Sequence, residues 1–101
     1  MAITGEGEDQ VLEREMAADR REFVRGLRKA FPHAVRDAGD LLLVQDGDVQ
    51  MEIALFPLPD RCIAQLRLPN MRVRIQFTSG SRVAQLRMLS KMDQAMHRGG
   101  G

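Results

Sequence analysis

Residues 63–77 read IAQLRLPNMRVRIQF, and where this stretch is divided decides the fold. Apolar and polar residues alternate on both sides of Pro69-Asn70, the period of two that a half-buried strand requires. Proline cannot adopt the positive φ of a two-residue type I′ turn, so the pattern predicts two strands joined by a loop of about four residues around Pro69. Cys62, Ala64, Leu66 and Leu68 then face inward on one strand, and Met71, Val73, Ile75 and Phe77 on the other. The opposite face carries Arg61, Gln65, Arg67, Arg72, Arg74 and Gln76. In this reading Arg67 falls opposite Arg72, a like-charge pair that costs stability unless an acid or anion lies between them.

Working backward, residues 33–60 read HAVRDAGDLLLVQDGDVQMEIALFPLPD. Asp46-Gly47 is a hairpin signal, because both residue types tolerate positive φ. That turn sets Val44 against Val49 and Leu42 against Met51, with Val49, Met51, Ile53 and Leu55 as the inward row. Gln50 and Glu52 point outward with Leu41 and Leu43, and the prolines at 57 and 59 turn the chain. A short extra strand is compatible with residues 33–37.

From Asp9 to Phe31, Leu12, Met16, Phe23, Leu27 and Ala30 recur at helical spacing, which predicts one amphipathic helix stopped by Pro32. Acids crowd its first half and bases its second, as the helix dipole favours. At the other end, TSGS supplies an N-cap for a helix over residues 81–97, with Leu86, Leu89, Met92 and Met96 inward and Arg87, Lys91 and Arg98 outward. The expected fold is α+β: a two-layer sandwich of an N-terminal helix, an antiparallel meander of about four strands and a C-terminal helix, both helices on one sheet face.

With 101 residues, 44% hydrophobic and 29% charged, the chain is expected to form a single domain over residues 1–101, with residues 1–8 and 99–101 disordered. No basic-then-apolar leader and no apolar run long enough for a bilayer is present, so no membrane association and a cytoplasmic location are expected. Cys62 is the sole cysteine, which excludes an internal disulfide and predicts a small buried packing residue. Net charge is +1, but residues 1–60 hold thirteen acids against seven bases, whereas residues 61–101 hold one acid, Asp93, against eight bases. The sequence is an electrical dipole.

These features point to binding rather than catalysis. The residues singled out are Arg61, Arg67, Arg72, Arg74, Gln65 and Gln76, on a sheet face that a protein partner or a second copy would cover. Acids at Asp37, Asp40, Asp46 and Asp48 offer charge complementarity, and Leu41, Leu43, Phe56 and Ile63 offer apolar area that a solvated face does not need. The alternative is nucleic acid, with the same arginines on phosphates. No Trp or Tyr and only four Phe leave little to stack on bases. The helix-sheet-helix order resembles that of double-stranded-RNA-binding domains in topology, while SGSRVAQLR lacks their lysine cluster. The final HRGGG resembles the Gly-Gly ends of ubiquitin-like sulfur carriers, which would imply a carrier tail, although glycine also commonly follows a helix.

No enzyme chemistry, cofactor or metal is expected. His33 and His97 show no ligand spacing, and Asp46-Gly47-Asp48 opens like a calcium loop without its closing glutamate. Asp93 and His97 lie one helical turn apart with no nucleophile motif beside them.

Overall fold

The computed structural model describes residues 11–97. The chain runs β1 (Val11–Met16), α1 (Arg20–Ala30), β2 (Val35–Asp37), β3 (Leu42–Asp46), β4 (Val49–Ile63), β5 (Leu66–Ser79) and α2 (Arg82–His97). All strand pairs are antiparallel, and the five strands form one sheet in the order β1-β5-β4-β3-β2. The fold is α+β, as the hydrophobic pattern predicts.

The first difference from the sequence reading is β1. Leu12 and Met16 are four apart, a spacing that satisfies a helix and also a strand, where residues i and i+4 share a face. In the structure Leu12, Arg14 and Met16 face the helices, while Val11, Glu13 and Glu15 lie outward opposite Gln76, Arg74 and Arg72. The helix begins only after Asp19. Its carboxylate accepts from the Glu22 amide at 2.9 Å, and the Glu22 carboxylate accepts from the Asp19 amide at 3.2 Å. This reciprocal cap is written in the sequence as Asp19-x-x-Glu22.

α1 buries Phe23, Leu27 and Ala30, and the chain reverses after it through Phe31-Pro32-His33-Ala34. The Ala34 amide donates to the Phe31 carbonyl at 3.1 Å, and His33 has φ +64°. Positive φ at the third position is the requirement of a type II turn, and proline is common at its second. β1 and β2 lie at opposite edges of the sheet, so α1 crosses its whole width. Ser81 caps α2 by accepting from the Ala84 amide at 3.2 Å, and α2 packs beside α1.

One core joins both helices to one side of the sheet: Phe23, Leu27 and Phe31 meet Leu42, Val44, Met51, Ile53, Val73, Ile75, Met88 and Met92. On α2 the inward residues are Gln85, Met88 and Met92, while Leu86 is exposed, contrary to the expected face. Gln85 is tolerated inside because its amide donates to the Ser79 and Gly80 carbonyls at 3.3 and 3.0 Å.

Both predicted hairpins form with shifted turns. Asp46 pairs with Val49 and Val44 with Met51, so Gly47-Asp48 is the turn and only Gly47 takes positive φ, +64°. The shift is one residue at the turn and therefore two in register, which leaves the inward row unchanged. The second hairpin differs more. Ile63 pairs with Leu66 around an Ala64-Gln65 turn, and Pro57, Pro59 and Pro69 lie inside the strands.

Those prolines are accommodated because this part of the hairpin has free edges. β3 stops pairing with β4 at Ile53, and β1 stops pairing with β5 at Met71. Beyond these points β4 and β5 continue as a two-stranded arm of roughly 20 Å, with no outer neighbour to which a proline would owe an N–H. The arm gives the described residues extents of 49 × 29 × 27 Å and a radius of gyration of 14.4 Å, against about 12–13 Å for a compact chain of this length.

Candidate functional site: the open sheet face and its arm

The helices cover one side of the sheet, and the other side has no covering element among the described residues. Its composition follows from the register. β1 contributes Glu13 and Glu15; β5 contributes Gln76, Arg74 and Arg72 opposite them. Across the other edge of β5, Arg74 faces Ala54, Arg72 faces Phe56 and Gln76 faces Glu52. Each of these two arginines is thus flanked by an acid on one side and an uncharged residue on the other. The acid supplied by β1 is what a row of arginines on an open face requires.

A bulge between Leu58 and Arg61 adds one residue to β4 and reverses its alternation. Arg61 and Ile63 therefore join the open face, opposite Leu68 and Leu66, while Cys62 and Arg67 pair on the other side of the arm. Of the six residues singled out in the sequence, Arg61, Arg72, Arg74 and Gln76 share the open face. Arg67 lies on the reverse of the arm, and Gln65 is in its turn. The expected Arg67–Arg72 juxtaposition does not occur. Nor does the expected inward row of Cys62, Ala64 and Leu66: all three are exposed because the arm extends past the helices.

The apolar part of the face is substantial. Phe56 is 45% exposed, Ile63 56% and Leu66 64%, and half-buried Leu43, Leu58 and Leu68 lie in the same layer. At the root of the arm, the Asn70 Oδ1 is enclosed and accepts no hydrogen bond among the described residues. At its tip Ala64 holds φ +57°, a left-handed conformation that costs a residue with a Cβ about 1 kcal/mol.

Away from this face, three ion pairs form among the described residues. Arg14 on β1 reaches Asp93 on α2, so the Asp93 carboxylate is held by a guanidinium; the side chain of His97, like the Gly99–Gly101 tail, lies outside the described residues. Lys91 sits 5.2 Å from the Phe31 ring centre and 4.0 Å from Asp46. Arg20 donates to Asp37 at 2.8 Å. The Gly39 amide, which donates to Asp37 at 3.0 Å, and the Arg20 guanidinium hold the Asp37 carboxyl below its ordinary range.

Two open clefts flank the core, one of about 520 Å³ lined by Met16, Phe23, Lys29 and Met96 and one of about 470 Å³ lined by His33, Arg36, Leu43 and Gln50. Among the described residues no three His, Cys, Asp or Glu side chains cluster as metal ligands would, and no helix is long and apolar enough to cross a membrane. The five-strand sheet with a leading strand also departs from the helix-first order of double-stranded-RNA-binding domains. Compared with known protein families, with curated proteins and with solved structures, the chain matches none.

Sequence reasoning missed β1 and the arm. The Asp19-x-x-Glu22 cap was a signal for the first, since it marks where the helix must begin. Three prolines within thirteen residues of strand-like alternation were a signal for the second, since proline is tolerated at a free edge.

Proposed function

We propose that this protein is a small binding module that docks a protein partner through the open face of its sheet and the arm that extends it. The observation that supports this most directly is the exposure of Phe56, Ile63 and Leu66 on the side that bears Arg61, Arg72 and Arg74. An apolar centre with arginine and aromatic side chains beside it is the composition of a contact surface. Pro57, Pro59 and Pro69 prevent a foreign strand from adding along the arm edges, so the arm works through its faces.

Nucleic acid is the alternative occupant. A projecting two-stranded ribbon bearing Arg61 and Arg67 has the form of groove-reading β-ribbons. Glu13, Glu15 and Glu52 on the same face oppose a polyanion, which ranks this reading second.

The test is a triple substitution, Phe56→Ser, Ile63→Ser and Leu66→Ser, none of which removes a core residue. Wild-type protein used as bait is expected to retain a defined protein partner that the triple variant loses, while both show the same circular dichroism. Anisotropy titration against mixed DNA and RNA separates the two readings. Submicromolar binding at physiological salt would reverse their order.

A further inference from the structure

We infer that the occupant of the open face is a second copy of this chain, related by a two-fold axis that runs along the β4–β5 hairpin between the stacked sheets. This rests on the docking surface proposed above and specifies its partner. The cross-strand register decides the axis.

Two orientations of a two-fold axis in the plane between the sheets are instructive. An axis perpendicular to the strands that crosses β5 at Val73 lays β5 on β5 of the other copy, so Arg72 meets Arg74 and, on β1, Glu13 meets Glu15. That arrangement is repulsive in both rows. An axis along the hairpin instead lays each outward residue of β4 on its own cross-strand neighbour in the other copy, because directly opposite residues are equidistant from that axis. Arg72 then lies on Phe56, Arg74 on Ala54, Arg61 on Leu68, and Ile63 on Leu66. No arginine meets an arginine.

Arg72 against the Phe56 ring is a cation–π geometry, and Ile63 against Leu66 closes an apolar contact twice, once in each half of the isologous interface. Aligned sheets stack about 10 Å apart with a crossing near 30°, a rotation that side chains of this length absorb.

The area is also sufficient. At about 4.8 Å between strands and 3.3 Å per residue, the strands that overlap across this axis, β4 and β5 with the ends of β1 and β3, present a projected face on the order of 500 Å². Side-chain relief raises the accessible area toward the roughly 800 Å² per partner of a stable complex. The arm supplies about half of that face. Without a covering partner, a two-stranded extension of this kind is marginal in water.

The experiment is a complementation measured by sedimentation of the full chain. The predicted wild-type state is a dimer at micromolar concentration. Ile63→Lys alone and Leu66→Glu alone each place a charge on an apolar neighbour in both halves of the interface, and each is expected to raise the dissociation constant by about tenfold or more. Mixed in equal amounts, the two variants are expected to recover the dimer: in one half the introduced lysine lies against the introduced glutamate, and the other half is wild type. Both positions are exposed on the arm, and unchanged far-ultraviolet dichroism verifies the fold.

A wild-type monomer at high micromolar concentration would overturn the inference. So would a dimer that neither substitution weakens, since its interface would lie elsewhere, or variants that weaken singly and fail to complement. A monomer that nevertheless binds a different protein, or nucleic acid, through the same residues would overturn the second-copy assignment while leaving the docking face in place.

Discussion

Gly80 and Ala64 show where backbone conformation, rather than side-chain type, fixes the fold. Gly80 has φ +100°, and a Cβ built there would lie 3.0 Å from the Val49 Cα and 2.8 Å from its Cγ2. Gly80→Ala combines a left-handed backbone with a clash against an adjacent strand, and a loss of about 2–4 kcal/mol is expected in denaturant unfolding. Ala64 presents the converse. Ala64→Gly relieves its positive φ and is expected to raise stability by about 0.5 kcal/mol, the entropy of glycine offsetting part of the gain. Asp37 ties pH to stability. Folding lowers its value below the ordinary 3.8 through the Gly39 amide and Arg20, so its contribution is complete above 3.8 and is lost as pH falls through the lowered folded value. Asp37→Asn should therefore reduce stability at neutral pH and flatten the acid limb of a melting-temperature profile. The inward rows around Val49, Ile53, Val73 and Ile75 were legible from alternation alone. Cys62 was not, because alternation reports which residues share a face and not whether a helix lies over that face.

At the scale of elements, the C-terminal helix, the second half of the N-terminal helix and the strands following Leu42 were readable from periodicity and caps. β1 escaped because four-residue spacing fits both periods and too few apolar residues precede Asp19 to separate them. The arm escaped because Pro69 within alternating residues reads as a turn when each strand is assumed to have neighbours on both sides. Once β4 and β5 are seen to outrun β3 and β1, the same proline reads as protection of a bare edge. None of the buried core residues lies between Leu58 and Asn70. Replacing Pro59 through Pro69 by an Asn-Gly turn, which keeps Leu58 opposite Asn70, is therefore expected to leave the melting temperature of the remaining chain within a few degrees of the full chain. The same truncation should abolish binding through the open face. A cooperative loss of folding would show that the arm supports the core.

The charge pattern acquires its meaning only in the whole molecule. An acidic first part and a basic last part suggest attraction between copies, yet the fold brings the two parts together within one chain. Glu13 and Glu15 stand opposite Arg74 and Arg72, Asp93 receives Arg14, and Asp46 approaches Lys91. What the open face offers a partner is consequently apolar and aromatic area with locally balanced charge, so association through it should depend only weakly on salt. The arginines were visible in the sequence; their placement opposite Glu13 and Glu15 was not, because it depends on β1 lying beside β5. Hydrogen exchange of backbone amides, compared at low and high protein concentration, tests the docking face most directly. Self-association through this face predicts that protection rises with concentration in residues 54–72 and leaves α2, with its exposed Val83 and Leu86, unaltered. Protection that is independent of concentration across the arm, or that rises on α2 instead, would contradict it.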